Sequence, residues 1–153
     1  MADTGLNDMK GKLAEIIDAG GDLQVIPMSA MDADGTFEDG YTTAFLAGGG
    51  NGILDAAGNT EQTGSTWVRK THLNAAITSQ VDDTADLWEV ILDADDLWSS
   101  VLASNDVVAL LIAEVGGGDA ADRVIGKWDF AVTTDGNDVT ANYDQSAGIW
   151  TAA

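Results

Sequence analysis

The chain has 153 residues, 45% of them hydrophobic, and its 26 acidic against 6 basic side chains give a net charge of −20. This length suits one domain with a single core, and the charge disfavours binding to nucleic acid phosphates or to an anionic membrane surface. The sequence has no cysteine, which excludes disulfides, thiolate metal sites and a cysteine nucleophile.

The N-terminal residues lack a basic and apolar export signal, and no window approaches the ~20 apolar residues of a membrane span. We therefore expect the chain to be made and folded in a cytoplasm. We predict one domain over residues 1–153, with an N-terminal helix or arm at 1–20, a long loop at 29–64 and a β-rich core at 65–153.

The first predicted element is a short amphipathic helix. Apolar residues recur at helical spacing from Leu6 to Ile17, and Gly20 ends the pattern. The helix carries Lys10 and Lys12, two of the four lysines in the chain. Its polar face is expected to be solvated or, alternatively, to contact a neighbouring acidic subunit.

A strand is predicted from Asp22 to Met28, with Pro27 marking an edge or a strand end. A polar, glycine-rich stretch follows from Ser29 to Ser65. Its apolar residues are Phe37, Tyr41, Phe45, Leu46, Ile53 and Leu54. Connections much longer than about 15 residues are usually functional or mobile, so we interpret this stretch as a long irregular loop that leaves the core and reaches toward a partner.

The second half of the chain predicts regular β-structure. The nearly unbroken apolar run from Val107 to Val115 is typical of a central strand covered on both faces, with a buried helix as the alternative that periodicity alone leaves open. From Val124 to Val132 the alternation predicts a half-buried strand with Lys127 facing outward. Further strands are predicted at Ser65–Leu73, Ala75–Val81, Asp86–Asp93 and Gly148–Thr151, and a hairpin turn at Thr134–Asp138 is expected to return the chain through Val139–Tyr143.

Several short strands and little helix predict a mainly β fold, an antiparallel β-sandwich or Greek-key barrel with a short N-terminal α-helix and a long irregular loop. The alternation also predicts which large side chains fill the core. These are Trp88, Leu92, Leu110, Ile112, Trp128 and Phe130.

Residues able to support chemistry are few. Asp32, Asp34 and Asp39 suggest calcium, but their spacing does not fit an EF-hand loop and solvated turns are the favoured interpretation. His72 is the only histidine, so a hydrolase would have to combine it with Ser65 or Ser79. We predict a structural or surface histidine, no catalytic residue, no cofactor and no metal.

A resemblance rests on four segments. Val68–Leu73 contains Arg-Lys-Thr-His-Leu, Asp93–Trp98 reads Asp-Ala-Asp-Asp-Leu-Trp, and Val124–Phe130 and Ala147–Trp150 follow. In this order they resemble a family of small β-sandwich virion proteins of tailed bacteriophages, whose members begin with a helix, a strand and a variable loop. The resemblance covers about residues 6–150 and departs from the family pattern between Asp32 and Gly64.

The resemblance implies a structural protein of the virion, made in the host cytoplasm. The favoured role is a capsid decoration or cement protein that binds the outside of a tailed-phage head, with the major capsid protein as partner and self-association as a further option. A protein of the phage tail or head-to-tail connector is the alternative, and a hydrolase is the remote one.

Docking on that partner is expected to use the N-terminal helix and the long loop, because aromatic residues are the usual anchors of interfaces. The loop also offers its apolar side chains no regular element to pack against. The predicted interface residues are Lys10, Lys12, Phe37, Tyr41, Phe45, Ile53 and Leu54.

Overall fold

The computed structural model describes residues 3–5, 19–39, 45–48, 50, 52–82, 87–92, 94–143 and 150–152. The predicted N-terminal helix from Leu6 to Ile17 lies outside these residues. The described elements are β1 Asp3–Gly5, β2 Leu23–Ala30, α1 Asp34–Asp39, a 3₁₀ turn Ile53–Asp55, β3 Thr60–Glu61, β4 Lys70–His72, a 3₁₀ turn Asn74–Ala76, β5 Ile77–Asp82, β6 Leu87–Leu92, β7 Asp96–Trp98, β8 Val107–Glu114, β9 Arg123–Val132, β10 Val139–Ala141 and β11 Trp150–Ala152. The mainly β prediction is confirmed.

The largest sheet is antiparallel, with the order β1-β9-β8-β2 and with β3 and β4 both on the far edge of β2. Strand β8 lies between β2 and β9, as its apolar run predicted. It is buried along most of its length, with Val108 as an exposed exception. Burial on both faces explains why nearly every position of β8 is apolar.

Two smaller antiparallel sheets, β7-β10 and β11-β6-β5, complete the β-structure. Their residues Ile77, Leu92 and Trp98 belong to the same hydrophobic cluster as β2, β8 and β9. One core between sheets is the arrangement of a sandwich, and among the described residues no ladder closes the large sheet into a barrel.

The predicted core is largely confirmed. Leu92 and Leu110 are fully buried, Ile112 and Trp128 are buried, and Phe130 packs against them at the border of the cluster. The Trp88 side chain lies outside the described part of the structure.

Pro27 does not mark an edge or a strand end. It lies within β2, which pairs with β8 on one side and with β3 and β4 on the other. The carbonyl of Pro27 accepts a hydrogen bond from the Gln62 backbone N–H on the β3 side. The amide and carbonyl of one strand residue point to the same side, so the proline nitrogen faces the gap between β3 and β4 and no bond to β8 is lost.

The predicted hairpin between β9 and β10 is wrong, because β10 pairs with β7. Gly136 adopts a positive φ of 99° in the turn, and its N–H donates to the Val101 carbonyl while Val101 N–H donates to the Asn137 carbonyl. These bonds attach the turn to the segment between β7 and β8. The following strand is thereby carried to β7 and not back along β9.

The long loop is also less irregular than predicted. Strand β2 extends to Ala30, and α1, a 3₁₀ turn and β3 lie within residues 29–64. Phe37, Leu46 and Ile53 are all fully buried. The segment returns to the large sheet and covers it.

Lys127 in β9 was predicted to face outward, but it is only 5% exposed. Its ammonium group lies 2.6 Å from an Asp34 carboxylate oxygen in α1 and donates to the Asp32 carbonyl at 2.9 Å. The segment from Asp32 into α1 therefore covers the Lys127 side chain in the middle of β9, which the alternation within β9 alone could not indicate.

Candidate functional site

The structure brings together two of the segments that carry the resemblance. Residues 65–72 and 96–102 run side by side in opposite directions, joined by bonds that each involve a side chain and not by a backbone ladder. The bonds, from one end to the other, are His72 Nε2 to Asp96 Oδ2 at 3.2 Å, Lys70 Nζ to Leu97 O at 2.7 Å, Trp98 Nε1 to Val68 O at 2.8 Å, Thr66 Oγ1 to Ser99 O at 2.8 Å and Leu102 N to Ser65 Oγ at 2.9 Å. We call this pair of segments the seam.

Two tryptophans support the seam from the core side. Trp67 and Trp98 are 2% and 1% exposed, and their ring centroids lie 4.8 Å apart. Each indole N–H has an acceptor, Asn105 O for Trp67 and Val68 O for Trp98. A buried aromatic pair with both polar atoms bonded holds the two segments in one arrangement.

A buried polar cluster closes one end of the seam. His72, Asp96 and Tyr143 are 6%, 6% and 5% exposed. Asp96 Oδ2 accepts a bond from the Tyr143 hydroxyl at 2.6 Å and lies 3.2 Å from His72 Nε2. A carboxylate can only accept, so the bond to His72 requires the proton on Nε2.

These contacts favour a structural role for His72. A hydrolytic site needs a serine hydroxyl bonded to the histidine, whereas the Ser65 hydroxyl oxygen accepts from Leu102 N at the other end of the seam. The Ser79 side chain lies outside the described part of the structure. The cluster joins β4, β7 and the segment after β10 through hydrogen bonds. Its contacts therefore stabilise the packing of these three segments.

Tyr143 gives a measurable signature of this cluster. Burial, followed by the charge and the hydrogen bond of Asp96, raises the pKa of its hydroxyl well above the ordinary value of 10.0. The unfolded chain therefore releases this proton first as pH rises, and we expect the unfolding free energy to fall above about pH 10. Below that pH the contribution should be fully present.

The measurement is chemical unfolding across alkaline pH, with tyrosinate absorbance in the native state. The chain has two tyrosines, so Tyr143→Phe and Tyr41→Phe form a matched pair. Tyr143→Phe should flatten the alkaline loss, whereas Tyr41→Phe should leave the Tyr143 contribution in place. Native Tyr143 titrating near pH 10 would contradict the buried cluster.

Three large apolar side chains are exposed along the seam, among polar residues that are also exposed, namely Ser65, Thr66, Thr71, Ser99 and Ser100. Val68, Leu97 and Leu102 are 57%, 48% and 63% exposed, and each is the chain neighbour of a buried residue, Trp67, Trp98 or Val101. We call these three exposed side chains the seam patch. Two exposed carboxylates lie next to the seam in the same polypeptide. Asp95 accepts a hydrogen bond from Tyr143 N, and Asp138 accepts one from Ser100 N.

The described basic side chains all contact groups of the chain itself. Lys70 donates to Leu97 O and lies 5.4 Å from the Trp98 ring centroid. Lys127 contacts Asp34, and Arg123 Nε lies 2.6 Å from a Glu114 carboxylate oxygen.

Arg69 bonds both Glu61 and Asp119, and these hydrogen bonds raise its pKa. Arg69, Arg123 and Lys127 are paired with carboxylates, whereas Lys70 donates to a neutral carbonyl and keeps its charge. Because the sequence has 26 acidic residues against 6 basic ones, the charge of the described surface is predominantly acidic.

The acidic stretch that suggested calcium contacts a lysine of this chain. Asp34 and the carbonyl of Asp32 both contact the Lys127 ammonium group, which supplies the positive charge. The Asp39 side chain lies outside the description. Among the described residues no group of three His, Asp or Glu side chains is placed to hold a metal ion.

The predicted interface residues fall into three groups. Phe37 and Ile53 are fully buried in the core of the chain, so the reasoning that they have no regular element to pack against is wrong: α1 and a 3₁₀ turn hold them. Leu54 is partly buried, and Phe45 is 40% exposed beside Arg123. Lys10, Lys12 and Tyr41 lie outside the described residues.

Sequence reasoning did not identify the seam patch, although a signal was present. The pairs Trp67-Val68, Leu97-Trp98 and Val101-Leu102 each place two large apolar side chains in adjacent positions. In extended chain, adjacent side chains point to opposite faces. Where only one face of a segment meets the core, one member of such a pair is exposed, as observed here.

Comparison with protein-family models, with curated proteins and with solved structures gave no significant match. Among the described residues, no helix has the length and apolar character needed to cross a membrane.

Proposed function

We propose that this chain is a structural protein of a tailed-bacteriophage virion, a capsid decoration or cement protein that binds the outside of the head and stabilises it. A protein of the tail or of the head-to-tail connector is the alternative role within the same particle. The proposal uses the resemblance of the four segments together with the charge and exposure of the described surface.

The observation that carries the proposal is the commitment of the described cations to internal bonds. Arg69, Lys70, Arg123 and Lys127 all contact groups of this chain, while the whole sequence carries 26 acidic residues. A surface of this kind repels copies of itself and attracts a basic partner. A shell protein with basic residues on its outer surface is a partner of that kind.

The segments of the resemblance have structural roles that support the proposal indirectly. His72, Asp96 and Trp98 hold the seam, and Trp128 packs 5.1 Å from the Tyr143 ring. Residues that fix the architecture are the ones a family of related sandwiches would share. The resemblance therefore supports a common fold, and the place in the particle is proposed by analogy with the family.

The test is the location and copy number of the chain in purified virions separated into heads and tails. A decoration protein should be found with heads, in a number comparable with that of the major capsid protein, and its removal should lower the temperature at which heads release DNA. A few copies in the tail or connector fraction would instead favour the alternative role. Absence from both fractions would contradict the proposal.

A further inference from the structure

We infer that the seam patch of Val68, Leu97 and Leu102 is the contact surface of this protein, and that it fits a partner surface with apolar side chains bordered by lysine and arginine. The identity of that partner as a capsid protein rests on the proposed function. The chemistry of the contact follows from the seam itself.

The first step is the unusual exposure of the patch. Val68, Leu97 and Leu102 are 57%, 48% and 63% exposed, and with Leu73 at 61% they are the most exposed large apolar residues of the described chain. Their chain neighbours Trp67, Trp98 and Val101 are at most 2% exposed. The fold is held by the inner members of each pair, which leaves the outer members available for a partner.

The second step is preorganisation. The seam is fixed by five hydrogen bonds that involve side chains and by the Trp67 and Trp98 rings beneath it. A surface already held in one arrangement loses little conformational entropy on binding. Exposed apolar side chains on such a support would lose their contact with water in a partner interface at little ordering cost.

The third step selects a basic partner over a second copy of the chain. Exposed Asp95 and Asp138 border the patch, and the net charge is −20. Lys70 is the one described cation at the patch, where its ammonium group donates to Leu97 O. Two copies meeting through the patch would bring together more carboxylates than ammonium groups. A partner with apolar side chains inside a basic border avoids that repulsion and gains electrostatic steering.

The absence of cysteine from the chain permits a direct test. Single variants Leu97→Cys and Leu102→Cys place one thiol in the patch, and Phe45→Cys places one on an exposed apolar residue of the predicted loop surface. Each variant is incorporated into virions in place of the native chain, and the rate of thiol alkylation is compared between purified particles and the free protein.

We expect alkylation at Leu97→Cys and Leu102→Cys to slow at least about tenfold in the particle, with Phe45→Cys little changed. The inference would be overturned if alkylation slowed in the particle at Phe45→Cys and kept its free-protein rate at both Leu97→Cys and Leu102→Cys. This pattern does not depend on whether the chain lies in heads or tails, so it separates failure of the seam from failure of the decoration role. Absence of the chain from particles would overturn both.

Two further measurements test the chemistry. Asp95→Asn with Asp138→Asn should slow association with particles lacking the native chain by several fold at low salt and reduce its salt dependence, because border charges act mainly on encounter. Sedimentation of the free protein should show no dimer formed through the patch. The free protein and its Leu97→Ser variant should therefore sediment alike. A salt-promoted dimer sensitive to Leu97→Ser would replace the basic partner by a second copy.

Discussion

Replacing Trp98 by alanine should destabilise the domain by about 3–5 kcal/mol, a large part of the ~5–15 kcal/mol that stabilises a typical domain. Trp98 is 1% exposed, packs 4.8 Å from the Trp67 ring and donates its indole N–H to the Val68 carbonyl. The variant loses the ring and the bond together. Because Trp98 joins β7 to the segment before β4, the loss should weaken the contact between the smaller sheet and the larger one.

The measurement is the free energy of unfolding in denaturant, with two matched variants. Trp98→Phe keeps a ring and loses the N–H, so it should fall between wild type and Trp98→Ala. Leu97→Ala alters the exposed neighbour and should stay within about 0.5 kcal/mol of wild type. A Trp98→Ala protein with unchanged unfolding, or a large loss at Leu97→Ala, would contradict the inward and outward assignment of the seam.

The strands with strong local patterns could be predicted from sequence. The apolar run of β8 predicts both its strand and its burial, because hydrophobicity acts within a single segment. The patterns of β6 and β9 locate the strands but not the burial, since β9 is buried on both faces from Val124 to Trp128. The predicted and observed bounds therefore agree within a few residues, at Val107–Glu114, Leu87–Leu92 and Arg123–Val132.

The pairing of distant segments could not be predicted in the same way. Nothing local to Val139–Ala141 indicates that its partner is β7, because the bonds between Val101 and the turn at Gly136 decide the path of the chain. Pro27 and Lys127 were misassigned for a related reason. The gap between β3 and β4, and the Asp34 carboxylate above Lys127, are supplied by residues far away in sequence.

The candidate site was predicted only in its components. The segments around Arg69 and Asp96 were identified by resemblance, but their direct contact through His72 and Trp98 is a property of the folded chain. The loop residues Phe37 and Ile53 were misassigned because a glycine-rich composition indicates turns without excluding a return to the core. Because both side chains are completely buried, they are not available to a partner, whereas the seam patch is exposed.

Replacing Asp96 by alanine should cost about 2–4 kcal/mol of unfolding free energy. Its carboxylate accepts from the Tyr143 hydroxyl at 2.6 Å and contacts His72 Nε2, and hydrogen bonds to a charged group contribute about 1.5–3 kcal/mol each. Relief of burying a carboxylate in a chain of net charge −20 offsets part of that sum. Asp129→Ala removes an exposed carboxylate from β9 and should change stability by no more than about 0.5 kcal/mol.

A double-mutant cycle with Tyr143→Phe separates the bond from the general effect of losing a charge. Tyr143→Phe removes the hydroxyl that donates to Asp96. In that background Asp96→Ala should lower the unfolding free energy by a smaller amount, with a coupling energy of about 0.5–3 kcal/mol. His72 retains its contact to Asp96 in that background, so some cost should remain. Strictly additive losses would mean that Tyr143 and Asp96 do not share the bond seen in the structure, and that the seam is closed at this end by packing of the His72 and Tyr143 rings, whose centroids are 5.7 Å apart.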